Sequence, residues 1–221
     1  MEDYIKLVKV SYTYPKGKFG LKEIDLVLKR GQITAICGEN GSGKTTLGKV
    51  MMGICIPNSG EIYINGSDAS ALKLWQRGSK IGYVFQNPDR QLFAATVLDE
   101  IIFPLEIKGV DKQAALKIAQ VLLERFKLTH LKEKVPMRLS RGEKQRLVVA
   151  AVLAQQPGYL ILDEPSSGLD RDRKRELYQL LQELKNDGTG IAVISHDQQF
   201  INAQTDCVIK MKDGRIVENG G

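Results

Sequence analysis

Aromatic side chains make up only 6% of the 221 residues, with a single tryptophan. They are not interleaved with Lys and Arg as single-stranded nucleic acid would require. The net charge of +6 therefore stands without a nucleic-acid partner, and a phosphorylated ligand accounts for it as well. Cysteine is scarce too. Cys37, Cys55 and Cys207 are far apart and contain no C-x-x-C pair, which argues against a disulfide framework or a zinc site and for a reducing cytosol. Long apolar runs are missing: the longest, Leu147 to Ala154, falls far short of the ~20 residues of a membrane span. The opening Met-Glu-Asp-Tyr-Ile-Lys lacks a signal peptide's apolar stretch. If a membrane is involved, the chain reaches it through a partner.

What is present alternates between two periods. "YIKLVKVSYTY", "EIDLVL" and "NSGEIYING" are short strands bounded by turn residues. "IGYVF", "YLIL" and "IAVIS" are nearly continuous apolar runs, suited to strands of a parallel sheet buried on both faces. Ala115, Ile118, Ala119, Leu122 and Phe126 share one helical face, as do Leu177, Leu180, Leu181 and Leu184. The chain is thus α/β. From about Asn87 to Leu153 helical periodicity prevails without a convincing strand, so residues 87–153 are expected to form a helical insert. Residues 1–86 and 154–221 are expected to form the α/β core.

"GENGSGKTT", Gly38 to Thr46, follows the apolar run Ile33 to Cys37 and fits G-x-x-x-x-G-K-[ST]. Glycines at such a strand-to-helix junction let successive N–H groups wrap a polyphosphate, and the helix that follows adds its positive end. Gly38, Asn40, Gly41, Ser42, Gly43, Lys44, Thr45 and Thr46 are the candidate nucleotide-binding residues. Lys44 is expected to reach the β- and γ-phosphates, and the Thr45 hydroxyl to ligate Mg²⁺. "YLILDEP", Tyr159 to Pro165, is an apolar strand that delivers two carboxylates at its end. Asp163 is placed to hold Mg²⁺ through a water, and Glu164 to polarise the attacking water. These elements imply a Mg²⁺-dependent nucleotide triphosphatase.

"LSRGEKQR", Leu139 to Arg146, opens a helix with capping-box spacing between Ser140 and Glu143. Together with "LILDEPSSGLD" it resembles, in order and spacing, the signature, Walker B and D-loop of the ATP-binding-cassette (ABC) ATPase family. The resemblance covers essentially the whole chain. It implies a P-loop NTPase fold with a RecA-like, mostly parallel core, an N-terminal antiparallel β subdomain and an inserted α-helical subdomain. It also implies roles for individual residues. Tyr14 stacks on adenine, with Tyr12 the less favoured choice. Gln86 touches Mg²⁺ and senses the transport partner. Ser140 and Gly142 cap the γ-phosphate of ATP held by a second subunit, Asp170 bridges the subunits, and His196 contacts the γ-phosphate. The signature departs from the usual Leu-Ser-Gly-Gly-Gln at Arg141 and Glu143, and the net electrostatic sign of that change is open.

"FQNPDRQLFAATVLDEIIFPLE", Phe85 to Glu106, resembles the corresponding stretch of the ATPases of energy-coupling-factor transporters, importers of vitamins and of transition-metal ions such as cobalt and nickel. That implies a peripheral subunit at the cytoplasmic face of the cell membrane. Its implied partners are a second cassette, the same or homologous, and integral membrane subunits, with no nucleic acid. The competing reading is a soluble ATPase of the same family acting on nucleic acid or the ribosome, and the basic charge is its main support.

Overall fold

The structure, a computed structural model, describes residues 2–15, 17 and 19–220. Two strands open the chain, β1 (Asp3–Thr13) and β2 (Gly20–Lys29), and β3 (Ile33–Gly38) leads into helix α1 (Lys44–Met52). Strands β4 (Ser59–Ile64) and β5 (Ser67–Asp68) follow, then the short helix α2 (Leu74–Gly78) and β6 (Ile81–Val84). The middle of the chain holds α3 (Val97–Ile107), α4 (Lys112–Arg125) and α5 (Arg141–Ala154). Strand β7 (Tyr159–Asp163), helix α6 (Arg171–Asn186), strand β8 (Gly190–Ile194) and helix α7 (Gln198–Gln204) precede the terminal hairpin of β9 (Cys207–Lys212) and β10 (Arg215–Gly220).

Four strands form an antiparallel sheet in the order β2-β1-β4-β5. The other six form a second sheet in the order β10-β9-β3-β8-β7-β6. In it β9, β3, β8, β7 and β6 run parallel, and only β10 is antiparallel to its neighbour. Asp213 and Gly214, both at positive φ, make the tight turn of that hairpin.

The parallel strands are buried on both faces. Ile33, Ala35, Leu160, Leu162, Ile191 and Val193 point into a cluster shared with α3 to α6. Their neighbours Ile36, Ile161, Ala192 and Ile194 point the other way, into a cluster shared with α1 and the antiparallel sheet. This double burial explains why the strands read as continuous apolar runs rather than as alternating ones. Residues 87–153 carry no strand among those described, but they do not own a separate core, because the α3–α5 apolar faces merge with the underside of the sheet. The expected boundary after Leu153 falls inside the last turn of α5.

Two helices differ from the sequence pattern. Helix α2 has only five residues, too few to show a period. Helix α3 runs through Pro104, which cannot donate to the carbonyl one turn back. Val97, Ile101, Ile102 and Leu105 are nevertheless buried beneath it, and this tertiary burial outweighs the missing bond.

Gly82 sits where β6 meets α5, and a Cβ there would run into Val152 and Leu160. Gly82→Ala should therefore overpack the junction and cost about 1–3 kcal/mol, read as a lower urea midpoint. An unchanged midpoint would show that α5 can move away from the sheet freely.

Candidate functional site

Strand β3 delivers the glycine loop. Gly38, Gly41 and Gly43 have φ of 141°, 81° and 107°, values that strain any residue with a side chain. Lys44 folds back across the loop, its Nζ donating to the carbonyls of Gly38 and Glu39, 2.9 Å from each. The Ser42 hydroxyl is buried beside Gly38 with no partner and does not line the depression. Asn40, Gly41, Gly43, Lys44, Thr45 and Thr46 line the depression above it, and Gln86 and Glu164 lie on its far wall. Tyr14 shares a 3.2 Å hydrogen bond with the Thr46 hydroxyl. Tyr12 is packed in the core, edge-on to the Tyr14 ring with centroids 5.0 Å apart, so of the two only Tyr14 stands beside the loop.

The carboxylates arrive from β7. Asp163 is 3% exposed. The Thr45 hydroxyl donates to its Oδ1 at 3.1 Å, and the Tyr83 hydroxyl lies 3.4 Å from its Oδ2. Burial pushes the Asp163 carboxyl up, against the lowering effect of Thr45. The same burial, together with the neighbouring charge of Asp163, raises the Tyr83 phenol, which keeps it neutral. Glu164 has left-handed backbone, φ 50°, an uncommon conformation for a residue with a side chain. Its amide donates to Ile194 O at the end of β8, which ties the two strand ends together. His196, beyond β8, has Nδ1 2.8 Å from Glu164 Oε2 and a side chain 75% exposed.

Gln86 follows β6 and is exposed. The segment after it is anchored more tightly than its polar composition suggests. The Asn87 side chain accepts from the amide of Asp89. Gln91 accepts from Phe85 N at 2.6 Å and donates to Tyr83 O at 2.9 Å, so it continues the edge of β6 with a side chain. Asp89 Oδ1 lies 2.7 Å from Lys144 Nζ on α5. Buried Glu100 accepts from the amides of Phe93 and Ala94. The Asn87–Asp89 bond is a local turn, while the Asp89–Lys144 pair, 55 residues apart, is brought together only by folding.

The expected signature residues stand apart from the glycine-loop depression: Ser140, Gly142 and Asp170 do not line it. Ser140 caps α5 and is exposed, and Gly142 packs beneath Arg173. Asp170 caps α6 by accepting from Arg173 N at 2.9 Å. The two departures from the usual signature have definite places. Glu143 closes a capping box, accepting from Ser140 N at 2.7 Å. Arg141 lies over the D-loop, where a Cβ on Gly168 would come within 2.6 Å of its Nη1.

These groups fit a polyphosphate and a divalent cation. The cradle has a lysine able to exchange carbonyls for phosphate oxygens, glycines at positive φ, and beside it a buried carboxylate bonded to a threonine hydroxyl.

The profile of the family described as "ABC transporter" matches residues 21–167. The chain belongs to the ABC transporter family. Its fold and motif order are those of this family's ATP-binding cassette. It is 39% identical over 212 residues to the energy-coupling factor transporter ATP-binding protein EcfA1 of Thermotoga maritima, covering 96% of this chain and 80% of that protein. It is 36% identical over 217 residues to a putative ABC transporter ATP-binding protein of Methanosarcina acetivorans, of which it spans only 35%. Among solved structures it is similar to cbiO1 from Clostridium perfringens, described as part of the ABC transporter complex cbiONQ. The TM-score is 0.90 and the identity 37%, over 99% of this chain and 89% of that one. A cassette solved as a post-hydrolysis dimer bound to ADP and Pi superposes with a TM-score of 0.88 at 30% identity, over 97% of each chain.

The capping box of this ABC chain gives a pH test. Hydrogen bonds from Ser140 hold the Glu143 carboxyl below the usual carboxylate range. Its contribution is present above the unfolded-state value and is lost as pH falls through the lowered folded one. Ser140→Ala should cost about 0.5–2 kcal/mol at neutral pH. Glu143→Ala should be less stable than the parent at neutral pH and equal to it in acid. A gap between the two midpoints that widened in acid would rule out this role for Glu143.

Proposed function

We propose that this chain is the ATP-binding and ATP-hydrolysing subunit of an energy-coupling-factor type importer of vitamins or of cobalt or nickel ions, a motor at the cytoplasmic face of the membrane. The observation that carries the reading is the convergence of four strand ends. The carboxyl ends of β3, β6, β7 and β8 bring the glycine loop, Gln86, Asp163 with Glu164, and His196 to one edge of the sheet. The similarity to EcfA1 and cbiO1 proteins supports the transport class. Among the described residues no helix is long and apolar enough to cross a membrane; in this reading the translocation path belongs to integral membrane partners.

On binding, Lys44 exchanges the carbonyls of Gly38 and Glu39 for the β- and γ-phosphates. Tyr14 turns from Thr46 to stack on adenine. Thr45, Gln86 and Asp163 would hold Mg²⁺, which would supply charge neutralisation at the phosphates. Glu164 takes the proton of the attacking water on a carboxylate oxygen, and His196, already beside that carboxylate, steadies it and contacts the γ-phosphate. Ser140, exposed at the start of α5, and Gly142, buried beneath Arg173, are both absent from their own chain's depression and serve the ATP of a second cassette. Asp170 stands at the same junction. Two nucleotides are thus enclosed between two cassettes, and hydrolysis releases the closed state.

Glu164→Gln should lower turnover by about 10²–10⁴-fold while ATP affinity holds, and should accumulate a closed dimer on size exclusion. Turnover that survived would move the base elsewhere. Pull-down of the tagged chain from detergent-solubilised membranes should recover an integral membrane protein. Recovery of soluble partners alone would sink the transport reading.

A further inference from the structure

A second depression lies beside the first, on the far side of Thr45 and Asp163, between the segment after Gln86 and the start of α5. Thr45 and Gln86 line both, so the two are continuous. Lys49, Arg90, Arg141 and Lys144 contribute four cationic groups to its walls. Lys144 is neutralised by Asp89 at 2.7 Å. Among the described residues no carboxylate oxygen lies within 4.0 Å of Lys49, Arg90 or Arg141. The only other acid in the wall, Asp163, is turned toward Thr45 and Tyr83. Arg90 and Arg141, without a salt-bridge partner, and Lys49, near enough to Asp163 to lower its carboxyl, therefore line one groove that is continuous with the phosphate side of the site.

Self-repulsion among such groups costs free energy unless an anion joins them. The Asp89–Lys144 pair holds the two walls together, so the cations cannot relieve the repulsion simply by parting. Arg141, laid over Gly168 of the D-loop, is one of the residues that line the groove.

We infer that this groove is a binding site for a small oxyanion, and that its occupant is the inorganic phosphate released by hydrolysis, held by Lys49, Arg90 and Arg141 on its way out. The inference rests on the hydrolytic reading above, but its test does not need turnover. Guanidinium groups match the fork geometry of phosphate oxygens, and the continuity with Thr45 and Gln86 favours the product over an acidic segment of a partner protein.

The test is binding of inorganic phosphate to the full chain saturated with Mg-ADP, followed by ³¹P line broadening. Phosphate should bind the parent, and the Arg90→Gln/Arg141→Gln chain should bind at least about tenfold more weakly with ADP affinity unchanged. Both residues are exposed, so the fold should tolerate the change. Lys44→Ala should leave the groove's phosphate affinity in place. No binding to the parent, equal binding to the arginine double variant, or loss in Lys44→Ala alone would each overturn the proposal. Saturable binding of an oligoglutamate peptide without phosphate binding would overturn it in favour of a protein partner. Absence of ATP turnover with phosphate binding intact would instead strike only the hydrolytic reading.

Discussion

A parallel sheet buried on both faces leaves water only at its edges. Here helices α3 to α6 cover one face, and α1 with the antiparallel sheet covers the other. Polar chemistry can therefore collect only where the strands end. Parallel strands end on the same side, so the glycine loop, the two acids, the glutamine and the histidine meet although they lie up to 158 residues apart, from Gly38 to His196. Everything else in the site follows from that constraint: the left-handed backbone at Glu164, the link from Glu164 N to Ile194 O, and the buried carboxylate of Asp163.

The same edge explains why its polar groups pair with one another. Lys44 turns to carbonyls, Thr45 to Asp163, Tyr14 to Thr46, and His196 to Glu164. The first three are hydrogen bonds that satisfy polar groups at this edge, whereas Glu164 Oε2, 2.8 Å from His196 Nδ1, has no hydrogen-bond partner.

The signature departures show how a substitution's meaning depends on what folding places around it. Read alone, Arg141 favours a phosphate and Glu143 opposes one. In the folded chain the Glu143 carboxylate is occupied by its own helix cap, so its charge is partly spent locally. Arg141 is left to act on the D-loop and the cationic groove. The motif Asn87-Pro88-Asp89 and the Gln91 beyond it look like a polar linker. They are a set of anchors to β6 and α5.

Much of this protein was legible without coordinates. Continuous apolar runs marked the buried strands, spacing marked α4 and α6, and the glycines and terminal acids of the runs marked the site, because each is a local signal written within a few neighbouring residues. Helix α2 and the passage of α3 through Pro104 were not legible, since five residues carry no period and a proline is tolerated only where burial compensates. Nor were the Asp89–Lys144 pair, the Gln91 clasp and the lay of Arg141 across Gly168. The sequence by itself determined which groups could do chemistry and which segments had to be buried. Only the tertiary structure decided which of those groups stand in contact, because contacts between residues tens of positions apart are set by how strands order in the sheet and helices pack on it.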